Sequence, residues 1–210
     1  IEKKRVYYMK ELIQVVKVLN DDQVKTVNDY IDTLNFDYCS VFGSGKEGDV
    51  TRQDMSVRSS TGTAMEEGHE ATDIVYHGMN AALWRYRERI ERIHPKLCDC
   101  PMIGATNTES WREAIQVLEY TKGQEYKFHH DQSVIYETKE YKRTLSVILY
   151  LENAEEGGGT EFVDTVYKPK AGYALIFPSN WCYMHSGQPV IKGKKRVAVT
   201  WYYVQFVPPK

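Results

Sequence analysis

Three side chains suited to metal chemistry stand out in this 210-residue sequence: His129 and Asp131 in "EYKFHHDQS" (125–133), and His185 in "CYMHSGQPV". The first stretch reads as a β-strand, where side chains two apart share a face and the one between points away. His129 and Asp131 therefore reach one ion together, while His130 faces the other side. His185, preceded by its own apolar strand, supplies a third ligand. Two imidazoles and a carboxylate on one face of a metal leave adjacent positions open. That suits iron(II) when it must take a chelating cosubstrate and oxygen at once. Hydrogen-bonded core histidines would produce the same pattern, so the spacing alone leaves both readings open.

A fourth residue bears on the choice. Lys195 opens the strand "KRVAVTWYY" and shares a face with Val197, Val199 and Trp201, so its ammonium can close the end of an apolar pocket. A buried, unpaired ammonium is costly, and an anionic ligand such as a dicarboxylate would complete it. The competing reading is a lysine in the solvated basic run "KGKKR", and Arg196, on the opposite face, is the second choice of anchor.

The elements that must hold these residues change character along the chain. "LIQVVKVL" (12–19) has strand composition. Asn20 is a candidate N-cap for the helix that follows, with Gln23 at its third position and Val24, Val27, Ile31 and Leu34 as its apolar stripe. Residues 43–64 are rich in Gly, Ser, Thr and charge and read as a long mobile loop. A second helix over 72–95 is capped by Thr72, with Val75, Met79, Leu83, Tyr86, Ile90 and Ile93 on its buried face. His77, Trp84 and His94 there read as packing or surface residues. From residue 113 the pattern turns to short strands: "EAIQVLEY", "TLSVILYL", "GYALIF" and "RVAVTWYYVQF". In the second, Leu145, Val147, Leu149 and Leu151 alternate with Ser146, Ile148 and Tyr150, the period of a strand. Helices followed by antiparallel strands predict an α+β domain with a sandwich or barrel core.

Composition sets outer bounds. The net charge of −2 gives no general reason to expect a nucleic-acid partner. No apolar run approaches the roughly 18 residues a membrane helix needs, and no signal peptide is recognisable. A cytoplasmic or otherwise intracellular soluble protein is expected, and a start at Ile1 leaves room for an upstream segment. Cys39, Cys98, Cys100 and Cys182 are too few and too irregular for a disulfide framework and read as reduced thiols.

With these pieces in place, "YTKGQEYKFHHD", "RTLSVILYL", "EEGGGTEF" and "HSGQPVIKGKKRVAVTW" resemble the catalytic core of iron(II)- and 2-oxoglutarate-dependent dioxygenases of the prolyl 4-hydroxylase type. "VRSSTG" (57–62) is similar to that family's substrate loop. The resemblance implies a double-stranded β-helix, or jelly-roll, core with supporting N-terminal helices. It implies a single domain over 1–210, with helical support and substrate loop in 1–112 and the catalytic core in 113–206. His129, Asp131 and His185 would hold Fe(II), and Lys195, assisted by the hydroxyls of Tyr120 and Thr160, would hold the distal carboxylate of 2-oxoglutarate. Oxygen would be the second cosubstrate, ascorbate the reductant, and succinate and carbon dioxide the co-products. On the substrate side the resemblance points to Tyr126, Glu113, Arg143 and Trp201, with Arg58 and Ser60 closing over a peptide or protein containing proline.

Arg196 stands where an aromatic commonly follows the lysine, and Tyr203 ends the motif where other residues occur. Both departures bear on substrate, not on metal. The same chemistry on a lysyl residue, a free amino acid or an alkylated nucleobase is the nearest alternative, and a non-enzymatic jelly-roll binding module the next. Glu113 and Arg143 also read as a plain salt bridge and Trp201 as core. A monomer or weak dimer is expected.

Overall fold

Alternation along the long strands decides which side chains meet helices and which meet the site. The computed structural model describes residues 8–45, 48–97, 112–136 and 139–203. The first half contains α1 (Tyr8–Glu11), β1 (Gln14–Lys17), α2 (Asp21–Ile31), β2 (Asp37–Tyr38), β3 (Val41–Gly45), β4 (Gly48–Arg52), β5 (Thr61–Ala64) and α3 (Glu70–Ile93). The second half begins with β6 (Gln116–Tyr120), β7 (Tyr126–His129), β8 (Ser133–Tyr136), β9 (Lys139–Glu152), β10 (Glu156–Gly157) and β11 (Thr160–Phe162). It ends with β12 (Thr165–Tyr167), β13 (Tyr173–Pro178), β14 (His185–Gly187), β15 (Val190–Lys192) and β16 (Lys195–Tyr203).

A large antiparallel sheet runs β1-β13-β9-β16-β6-β5-β2, with β8 also pairing β9. A smaller one runs β12-β11-β14-β7. This is the expected jelly roll. On β9, Leu145, Val147, Leu149 and Leu151 join the core against the helices, while Tyr150 and Ile148 turn to the core between the sheets. β16 divides the same way: Ala198 and Tyr202 face the helices, and Val197, Val199 and Trp201 face the second core. The period-2 pattern of the sequence is thus a two-core pattern, with β9 and β16 each burying both faces.

The helices are held as their sequences direct. Asn20 caps α2 in a reciprocal capping box with Gln23, each side chain accepting the other's backbone N–H. Val27 and Ile31 are fully buried against the sheet. α3 starts earlier than expected. Its N-cap is His69, whose Nδ1 accepts the Ala71 N–H, and Thr72 is buried inside the first turn. His69 also stacks on Tyr30 at 3.7 Å, which ties the start of α3 to α2; a cap by imidazole falls outside the Ser/Thr/Asp/Asn signal.

The segment 43–64 is a second correction. β3 and β4 form a two-stranded hairpin and β5 joins the large sheet beside β6. Edge pairing satisfies backbone groups that the polar composition had assigned to a loop. The support strands β1, β5 and β2 share one sheet with the catalytic strands. No helix among the described residues is long and apolar enough to cross a membrane. Cys39 and Cys182 are free, while Cys98, Cys100 and residues 204–206 lie outside the described residues.

Candidate active site

His129 ends β7 and His185 begins β14, and the two are direct cross-strand partners, with ring centroids 4.4 Å apart. Asp131 lies just past the end of β7, not within it, where its N–H donates to the Ser179 carbonyl at 3.1 Å. From there its Oδ1 is 3.5 Å from His129 Nε2 and its Oδ2 3.6 Å from His185 Nε2. One donor atom from each residue falls within 4.8 Å of the others. His130 is exposed, and its Nδ1 accepts the Gln132 N–H instead.

Backbone carbonyls fix the tautomers. His129 Nδ1 lies 2.8 Å from the Lys127 carbonyl and His185 Nδ1 3.1 Å from that of Tyr183. A carbonyl only accepts, so each Nδ1 carries the proton and each Nε2 offers a lone pair beside Asp131. Burial pushes His185 down to about 4, so it is neutral at physiological pH. Burial would raise Asp131, but His185 and His129 beside it and the Trp201 indole N–H outweigh this and hold the carboxyl well below its usual range. A neutral His185 and an ionised Asp131 are the protonation states a metal requires of them.

These residues open on a cavity of about 530 Å³ that Lys195, Tyr120, Thr160, Tyr126, Arg58, Arg143 and Trp201 also line. Lys195 is 3% exposed, and its ammonium sits 4.2 Å from the centre of the Tyr120 ring, its cross-strand partner. Among the described residues no carboxylate pairs with it, and burial lowers it to about 8. Thr160 bonds the Tyr150 hydroxyl at 2.7 Å. Gly157 has φ +79°, and a Cβ would come within 2.3 Å of the Pro189 carbonyl, so the glycine turn beside the site requires that residue.

Arg196 faces the other way. Its guanidinium bonds Asp32 at 2.6 Å, Asn28 Oδ1 at 2.9 Å and Glu119, bolting α2 to the sheet. The solvated-run reading of Lys195 and the anchor reading of Arg196 both give way to this alternation.

Of the substrate-side residues, Tyr126 stacks on His129 at 3.6 Å, and Arg58 lies over the Tyr126 ring and donates to Ser60 at 3.1 Å. Arg143 stacks on Trp201 at 3.7 Å and grips Glu113 through two bonds of 2.5 and 2.6 Å. Tyr203 donates to the same carboxylate, so Glu113 is fully engaged and does not line the cavity. Ser146, Ser179, Tyr150 and Tyr203 were missed as site residues; a signal for Ser146 was its hydroxyl on the inward face of an apolar strand.

A family model described as the 2OG-Fe(II) oxygenase superfamily matches residues 115–203, the stretch that holds the triad and Lys195. That stretch, residues 115–203, belongs to the superfamily. Its cofactor and cosubstrate, Fe(II) and 2-oxoglutarate, fit the residues present: the tautomer-fixed triad offers the metal's donors, and the unpaired Lys195 awaits an anion. The chain is 29% identical over 184 residues to a probable prolyl 4-hydroxylase 8 of Arabidopsis thaliana, covering 72% of this chain and 55% of that one. It is 35% identical over 107 residues to a putative prolyl 4-hydroxylase of Acanthamoeba polyphaga mimivirus, covering 43% and 44%. The chain spans about half the length of the curated relatives it matches. Its fold is similar to the viral collagen prolyl hydroxylase of Paramecium Bursaria Chlorella virus-1 in a 2OG complex, with TM-score 0.64 and 21% identity over 92% of this chain and 97% of that one. It is also similar to a Trichoplax adhaerens prolyl hydroxylase in complex with a hypoxia inducible factor peptide, with TM-score 0.60 and 15% identity over 92% and 84%.

Proposed function

We propose that residues 1–210 form one catalytic domain that hydroxylates a proline of an extended peptide or protein, with succinate and carbon dioxide as co-products. The observation that carries this reading is one cavity shared by the His129–Asp131–His185 triad and the buried, unpaired ammonium of Lys195. A binding module has no use for a dicarboxylate anchor beside its metal.

Bound Fe(II) with 2-oxoglutarate and oxygen supplies the oxidising power. The chain's own residues hold and orient. His129 and His185 present Nε2 and Asp131 its carboxylate to the metal. Lys195, with Tyr120 beneath it and Thr160 nearby, takes the distal carboxylate of the cosubstrate and so fixes the direction from which its keto acid end arrives. Val197 and Val199 make the wall apolar and keep water out.

The neutral substrate follows from charge. A lysyl side chain calls for an unpaired carboxylate deep in the pocket, and the candidate for it, Glu113, is bound by Arg143 and Tyr203. Proline brings an uncharged ring of fixed φ, which suits aromatic walls such as Tyr126 and Trp201. The similarity to a probable and a putative prolyl 4-hydroxylase supports the same choice. Proline-containing peptides incubated with the protein, Fe(II), 2-oxoglutarate and ascorbate should gain one oxygen on proline by mass spectrometry. Hydroxylysine without hydroxyproline would overturn the substrate while leaving the metal and cosubstrate reading intact.

The lowered Lys195 sets a pH dependence. The dicarboxylate binds the ammonium form and is itself fully ionised throughout. Affinity for 2-oxoglutarate should therefore be flat below about 8 and fall as pH rises through that value, approaching tenfold per pH unit. Anaerobic titration calorimetry of metal-loaded protein reads it, with proton uptake on binding in the alkaline arm. An affinity unchanged up to roughly pH 10 would remove Lys195 as the anchor.

A further inference from the structure

Two buried serines that the proposed chemistry does not use converge on the metal-binding carboxylate. Ser146, on β9, is 1% exposed, and Ser179, just past β13, is also 1% exposed. The Ser146 hydroxyl donates to Asp131 Oδ2 at 2.8 Å and lies 2.9 Å from the Ser179 hydroxyl. Ser179 also accepts the Asp131 N–H through its carbonyl, and its own N–H donates to Thr144 at 3.0 Å. One corner of the large sheet thus holds Asp131 by both backbone and carboxylate. This matters because Asp131 lies beyond the last residue of β7, where no ladder bond orients it.

The donor inventory fixes the direction of the chain. An ionised carboxylate only accepts, so Ser146 spends its one proton on Oδ2 and must accept from Ser179. The relay Ser179 O–H to Ser146 Oγ, then Ser146 O–H to Asp131 Oδ2, polarises each bond by the next. Oδ2 is thereby engaged in a charge-assisted bond, Oδ1 lies beside His129 Nε2, and the Trp201 indole N–H adds a further bond to the same carboxylate.

The geometry points to Ser146 and, behind it, Ser179 as positioning residues that hold the Asp131 carboxylate in the orientation in which it would meet the metal beside His129 and His185. On the inward face of β9 the neighbours of Ser146 are the larger Ile148 and Tyr150, and Ser146 lines the cavity between them and Asp131. The inference rests on the metal-ligand reading of the triad and adds to it the residues that orient its carboxylate.

The test uses Co(II) as probe of the whole chain, with Ser146→Thr and Ser146→Val as a near-isosteric pair that differ in the hydroxyl alone. Equilibrium titration followed by visible absorption should find Thr close to wild type and Val weakened roughly 10–100-fold, with an altered ligand-field spectrum. In a second arm, 2-oxoglutarate added to the Co(II) protein should perturb the spectrum of wild type and Ser146→Thr, and require much higher concentrations with Ser146→Val. Ser179→Ala, one bond further out and minimal in volume, should give the same changes in smaller measure, and decides the matter if Ser146→Val fails to fold. Thr and Val weakened alike, or Val and Ser179→Ala both binding as wild type with its spectrum, would overturn the proposal. Wild-type protein that takes up no Co(II) would instead bring down the triad reading itself, and this inference with it.

Discussion

His129→Ala is expected to abolish metal binding and turnover together, while His130→Ala keeps most of both. The two residues are neighbours of the same type, so the contrast isolates geometry from composition. His129 Nε2 faces Asp131 and His185, with its Nδ1 proton held by the Lys127 carbonyl. Its loss removes one of three donors, and the effect should exceed the roughly 10–100-fold that changes to groups hydrogen-bonded behind the ligands cost. His130 is exposed and, among the described residues, bonds its local backbone, so its loss is a surface change, usually within about 0.5 kcal/mol. Metal content after dialysis and succinate formation at saturating Fe(II) measure both. Equal losses, or a larger one from His130, would reverse the register of β7 at the site.

What the sequence carried, and what it hid, separate along physical lines. The pairing of His129 with Asp131 was legible from i, i+2 spacing, although Asp131 sits outside the strand that argument assumed. It arrives by the Ser179 carbonyl, a contact between residues far apart in sequence and invisible to local pattern. The split of Lys195 from Arg196 was legible because β16 is buried on both faces, and alternation then allots one residue to each core. Where a strand is instead replaced by glycines and polar residues, as in 43–64, composition spoke for a loop. The hairpin and β5 form there because neighbouring strands take up their backbone groups. The engagement of Glu113 was half legible: its salt bridge with Arg143 was foreseen, but the third bond from Tyr203 depends on β16 ending opposite it. Pattern reports which face a residue takes, and partners across sheets come only with the fold.

Lys195→Ala and Arg196→Ala should fail in different ways, although they remove adjacent cations. Lys195 makes no ion pair among the described residues and lines the cavity, so its loss leaves no buried carboxylate stranded. Removing it deletes one charge-assisted bond to the distal carboxylate of 2-oxoglutarate, worth about 1.5–3 kcal/mol. The apparent KM for 2-oxoglutarate should therefore rise about ten- to a hundredfold, with the melting temperature unchanged or raised, since the buried ammonium is itself costly. Arg196 is the reverse case. Its side chain is 4% exposed and serves Asp32, Glu119 and Asn28 at once. Glu119, 16% exposed, would be left without its main partner, which destabilises the contact between α2 and the sheet. Asp32 is 63% exposed and water replaces its share, so the total should be about 1–3 kcal/mol and several degrees of melting temperature. With KM near wild type below that temperature, Arg196 is a structural bolt. A large KM effect from Arg196→Ala and none from Lys195→Ala would move the cosubstrate to the helix side of β16, and with it the whole orientation of the site.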